Sequence, residues 1–91
     1  MAIHLACDVS IWKEGSLYVA QALPLNVMSC GSSPQKARRN LDEAIALFLK
    51  TARDQGNLEE VLEEAGYRRT DDVWQPPKVV TSERAELAVP V

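Results

Sequence analysis

An α+β fold, with one long helix laid on one face of a small antiparallel three- to four-stranded sheet in βββαβ order, is what this sequence predicts. Three features predict it. Apolar residues alternate with a period of two near the start, two more strand-like runs follow with turn residues between them, and one long stretch has helical periodicity. Ninety-one residues are enough to close a single modest core and leave little room for a second. One domain is therefore expected over residues 1–76, with 77–91 as a C-terminal extension forming an edge strand or an oligomerisation tail.

Taken in order, the first element alternates from Ile3 to Trp12. Ile3, Leu5, Cys7, Val9 and Ile11 share one face, and His4, Ala6, Asp8, Ser10 and Trp12 share the other. That is the pattern of a half-buried strand. "KEGS" follows, with a glycine suited to positive φ, and "LYVAQAL" resumes strand-forming residues, so the two runs read as a hairpin. After the Pro24 break comes "NVMSC", a third short strand, with Asn26 suited to left-handed backbone in the turn.

The stretch "CGSSPQKARRN" has the look of a phosphate loop. It lacks the second glycine of a GxxxxGK[ST] motif, and Pro34 removes one N–H that would grip an anion. It reads as a helix start: Ser33 is the N-cap and Pro34 occupies the first helical position, where its missing N–H costs nothing. Ala37, Leu41, Ala44, Ile45, Phe48 and Ala52 then form one apolar stripe, and Gly56 stands where a glycine ends a helix. Burying Leu41, Ile45 and Phe48 contributes about 1.5–3 kcal/mol each. A short second helix is expected next, with Asn57 as N-cap, Glu60 completing a capping box, Leu58, Val61, Leu62 and Ala65 inward, and Gly66 as its stop. Tyr67, Val73 and Trp74 suit a further strand broken by prolines. The tail alternates Ala85, Leu87, Val89 and Val91, and Pro90 confines such a strand to an edge.

Composition narrows the function. The net charge of −3 and pI near 5.0 run against the basic balance of nucleic-acid binders. The two cysteines have no CxxC spacing and His4 is the sole histidine, so a zinc site lacks ligands and two buried thiols are expected. No signal peptide is apparent, and the longest apolar run, "AIALFL", is too short to span a bilayer. A cytoplasmic protein with no membrane association is expected.

"GSLYVAQALPLNVMSCGSSPQKARRNLDEAIALFLK" resembles the core of the HicB-like antitoxin family through Tyr18, Val19 and Ala20, Gly31, Ala37, Asn40 and Leu41, and Glu43, Ala44 and Ile45. "LEEAGY" is similar to the short second helix of that family. Cys30, Ser32, Ser33 and Lys36 depart from its usual pattern, and Leu25 and Asn26 stand where many members have a proline-glycine turn. The resemblance implies a partial ribonuclease H-like fold. It also implies an antitoxin that binds and neutralises a small basic mRNA-cleaving toxin of double-stranded-RNA-binding-domain type by protein–protein contact, occluding its active site. The fourteen residues after Pro77 show no helix-turn-helix pattern, so a short member without a DNA-binding domain is expected, and direct DNA binding is not.

Two other functions stand beside that one: an orphan homo-oligomeric interaction module without a toxin partner, and, third, a nucleic-acid binder or nuclease. Metal-dependent nuclease chemistry needs converging carboxylates, yet the first strand offers Asp8 alone, and Glu59, Glu60, Glu63 and Glu64 follow helix spacing into solvent. No catalytic, cofactor or metal residue is assigned and no cofactor is expected. The residues assigned to partner binding are Trp12 and Trp74 as anchors, with core or subunit packing as the equal alternative for both, Arg38 and Arg39, whose positive charge opposes the helix dipole, and Glu59 and Glu63 as acidic steering groups. A homo-oligomer is also expected.

Overall fold

The computed structural model describes residues 4–90, and Ile3 and Val91, assigned above to apolar stripes, lie outside them. The fold is α+β. Its elements are β1 (His4–Leu5), β2 (Asp8–Glu14), β3 (Leu17–Leu23), β4 (Val27–Gly31), α1 (Pro34–Asp54), α2 (Leu58–Glu64), β5 (Arg68–Thr70) and β6 (Val73–Gln75). The single first strand expected from the alternation is split, because its two halves have different partners. β1 pairs in parallel with β6, His4 opposite Val73, whereas β2 pairs antiparallel with β3. The order is β2-β3-β4 in one antiparallel sheet and β1-β6-β5 in a second, mixed one.

Local chemistry fixes the turns. Gly15 carries φ +60° between β2 and β3, and Asn26 carries φ 61° between β3 and β4, its side chain accepting from Gln21 Nε2 at 2.9 Å. Ser33 caps α1 as expected, its Oγ accepting the Lys36 N–H at 3.1 Å with Pro34 behind it. Both helices end in Schellman motifs. At the first, the Asn57 N–H bonds Ala52 O and the Gly56 N–H bonds Arg53 O; at the second, Tyr67 bonds Leu62 O and Gly66 bonds Glu63 O. Gly56 (φ 75°) and Gly66 (φ 97°) supply the left-handed residue each motif needs.

The capping box expected at α2 does not form. Asn57 is already the second residue of the α1 Schellman turn, which sets its backbone at φ −122°, ψ 21°, and its side chain makes no capping bond.

The core has two parts under α1. Ala20, Ala22, Ala37 and Leu41 form the first, with Cys7, Val9 and Tyr18 against them. Leu25, Leu62, Tyr67 and Trp74 form the second, with Leu5, Phe48, Leu49 and Leu58 against them. Val27 and Ile45 touch both and join the parts into one body. Residues 76–90 form no strand within the single chain, and the edge strand expected from the alternation of Ala85, Leu87 and Val89 finds no partner among the described residues. Of the two thiols expected to be buried, Cys7 is half-buried and Cys30 is exposed, and both are free.

Candidate protein-binding surface

Because side chains alternate across a strand, the pairing registers assign every residue of β2, β3 and β4 to one of two faces. Val9 and Ile11, Tyr18, Ala20 and Ala22, and Val27, Ser29 and Gly31 lie on the helix side. The opposite face holds Asp8, Ser10, Trp12 and Glu14 from β2, Leu17, Val19, Gln21 and Leu23 from β3, and Met28 and Cys30 from β4. No element packs on it among the described residues. Trp12, Val19 and Cys30 stand in one row across the three strands, with Ser10, Gln21 and Met28 in another. Leu17, Leu23 and Met28 are 44–50% exposed. An apolar band of this kind, rimmed by the carboxylates of Asp8 and Glu14, is a surface that burial against a partner would stabilise. The Trp12 indole N–H donates to Glu14 Oε1 at 2.9 Å, which holds the ring against the sheet with its polar edge satisfied.

The residues assigned from the sequence fall in separate places. Trp12 belongs to the uncovered face. Trp74 does not: it is only 3% exposed and packs among Leu25, Leu62 and Tyr67, so it takes the alternative of core packing and is no interface anchor. The strand expected around Val73 and Trp74 forms as β6, and its place between β1 and β5 buries the indole. Arg38 and Arg39 sit on the helix layer, on the other side of the sheet from Trp12. With Ile11, Pro34, Gln35 and Asp42 they line a groove of about 410 Å³, and Arg38 is paired with Asp42 at 3.1 Å. Glu59 and Glu63 lie on α2 with Glu60, Leu58 and Arg53 around a shallow depression of about 480 Å³. Glu59 pairs with Arg69 at 3.4 Å. The six residues therefore make three surfaces and a core position, not one site.

Five residues of the uncovered face, Leu17, Val19, Leu23, Met28 and Cys30, were not assigned from the sequence. A signal was present in "LYVAQAL", which is apolar at both parities: Leu17, Val19 and Leu23 on one face, Tyr18, Ala20 and Ala22 on the other. Both faces of β3 are therefore apolar, although α1 covers only the face that holds Tyr18, Ala20 and Ala22 among the described residues.

Asp8 is exposed, and among the described residues no group of three or more His, Cys, Asp or Glu side chains is placed to hold a metal ion. One buried titratable group stands out inside the fold. Burial pushes the Tyr67 hydroxyl from 10.0 up to about 12, with the negative charges of nearby Cys7 and Asp8 adding to the effect. Its oxygen has no hydrogen-bond partner among the described residues. Likewise, no helix among these residues is long and apolar enough to cross a membrane.

Compared with family models, with curated proteins and with solved structures, the chain matches none.

Proposed function

We propose that this chain is a HicB-like, antitoxin-type protein that works by binding and not by catalysis, and that its uncovered sheet face receives a small basic mRNA-cleaving toxin. The observation that carries this reading is the apolar row Trp12, Val19 and Cys30, flanked along β2 by the carboxylates of Asp8 and Glu14, on the face of the sheet that no helix covers among the described residues. Apolar area in the middle supplies affinity, and acidic groups at the rim speed the approach of a cationic partner and exclude anionic ones. Support also comes from the motif residues. Gly31, Ala37, Asn40 and Leu41, which carry the family resemblance, are all used in joining α1 to β4: Ala37 and Leu41 are fully buried and Asn40 bonds the Cys30 carbonyl. The parallel pairing of β1 with β6 accords with a partial ribonuclease H-like order, and the cytoplasm is where such a protein meets an mRNA-directed toxin.

The test is to mix the purified chain with the product of the neighbouring gene, follow the complex by size-exclusion chromatography, and measure protection of RNA. A complex that protects RNA is expected. Neither complex nor protection would reject the reading.

A second reading, a homo-oligomeric interaction module, is favoured by the tail. Val79, Val80, Leu87 and Val89 are 68–95% exposed, more apolar surface than a free tail has reason to present.

A further inference from the structure

The sheet β2-β3-β4 has two edges, and they are treated differently. At β4 the side chain of Asn40 reaches from α1 and donates to the Cys30 carbonyl at 2.8 Å, while α1 lies chiefly over β4 and β3. At β2 there is no such cover among the described residues. Among the described residues β2 pairs with β3 alone, α1 touches it little, and Ile11 is left 40% exposed beside the groove lined by Pro34, Gln35, Arg38, Arg39 and Asp42. An open seven-residue strand with a groove alongside is a template for one more strand.

The same chain carries an unpaired strand sequence. Between Pro77 and Pro90 runs "KVVTSERAELAV", in which Ala85, Leu87 and Val89 alternate with Arg84, Glu86 and Ala88. This segment stands away from its own domain: the Cα radius of gyration is 15.5 Å, against about 12 Å for a compact domain of this length. Residues 76–84 alone span up to about 30 Å when extended, enough to reach a neighbouring molecule.

We infer that residues 84–89 of one copy add as a strand to the open edge of β2 in a second copy, and that the second copy returns the same contact, giving a two-fold dimer by arm exchange. Charge sets which side of the arm faces which layer. With Leu87 and Val89 beside Trp12 they extend the apolar face, and Glu86 then points to the helix layer, where Arg39 has no ion-pair partner among the described residues and Arg38 is already held by Asp42. The opposite phase would lay Glu86 on the apolar row and Leu87 against the guanidinium groups. Main-chain hydrogen bonds along β2 supply affinity, and the Glu86–Arg39 pair supplies register. Each arm also widens the sheet face, by the width of one strand. This proposal rests on the self-association reading and is independent of any toxin.

The experiment is sedimentation equilibrium on the full chain and on full-length Glu86→Arg, Arg39→Glu and the double variant, all at exposed positions. A dimer is expected for the wild type. Each single variant is expected to weaken it by about tenfold or more, and the double variant to recover most of the loss. A dimer whose dissociation constant ignores both single substitutions would overturn the arm on β2 while leaving self-association standing. A wild-type chain that stays monomeric would overturn both.

Discussion

Asn40 Nδ2 donates to the backbone carbonyl of Cys30 at 2.8 Å, so the second turn of α1 is tied to the last residues of the edge strand β4. The bond does two things. It closes one carbonyl that an edge strand would otherwise offer to a neighbour, and it fixes the angle at which α1 crosses the sheet. Both groups have some access to solvent, so Asn40→Ala is expected to cost only about 1 kcal/mol, measured as a lower urea midpoint with an unchanged m-value. A changed m-value would mean that the helix had shifted and that the bond held more than itself.

Gly31 shows the same junction from the side of sterics. A Cβ built on it would lie 2.6 Å from the Ala37 nitrogen and 2.8 Å from the Lys36 carbonyl carbon, both backbone atoms that cannot swing aside. Gly31→Ala must push α1 off β4 or bend β4 away, and a loss of about 1–3 kcal/mol is expected from chemical denaturation. Its φ is not in the left-handed region, so the demand for glycine here comes from close approach alone. A neutral substitution would show that this contact is looser than its distances state.

What was legible in the sequence was local. Ser33 with Pro34, Gly15, Asn26, Gly56 and Gly66 each fix a backbone conformation within a few residues, and each does in the structure what its chemistry predicts. The helix stripe was legible too, since Ala37, Leu41 and Ala52 are buried and Ala44, Ile45 and Phe48 half-buried. Trp74 was not, because its burial depends on β6 lying beside β1, a pairing between residues nearly seventy positions apart that no local pattern encodes. Asn57 was legible as the residue before α2 but its missing capping bond was not, because it serves two helix ends at once. The uncovered face was half legible: Trp12 was singled out as a tryptophan on the edge of a strand, but the skew of α1 toward β4, which leaves one side of β2 open, follows from packing and from no single residue.

Tyr67 makes a pH prediction. Below pH 10 its hydroxyl is protonated in both the folded and the unfolded chain, so it adds no pH dependence there. As pH rises from 10.0 toward about 12, the unfolded chain gives up this proton and the folded chain keeps it, so stability falls through that window. Tyr67→Phe is expected to flatten this part of the stability–pH curve. Near neutral pH it should change stability by less than about 1 kcal/mol, since the ring stays and the hydroxyl bonds no residue among those described. Denaturation curves at pH 8, 10 and 11 for both chains check it; an equal alkaline loss in the two would assign the slope to other groups.

The two tryptophans give the prediction that separates fold from function. Trp74 is nearly inaccessible, in contact with the second half of the core, and Trp74→Ala is expected to cost about 3–5 kcal/mol, most of what a domain of this size has. Trp12 lies half-buried on a face that nothing covers, with its indole N–H bonded to Glu14, so Trp12→Ala should cost about 1 kcal/mol and leave the fold intact. Partner binding should respond the other way. A tryptophan at the centre of an interface typically contributes 2 kcal/mol or more, so the same variant is expected to weaken the complex by about thirtyfold or more in calorimetric titration while its circular dichroism matches the wild type. Trp12→Phe keeps the apolar ring and loses only the bond to Glu14, and should retain most of the affinity. Full affinity in Trp12→Ala, with the fold preserved, would move the binding surface off this face altogether.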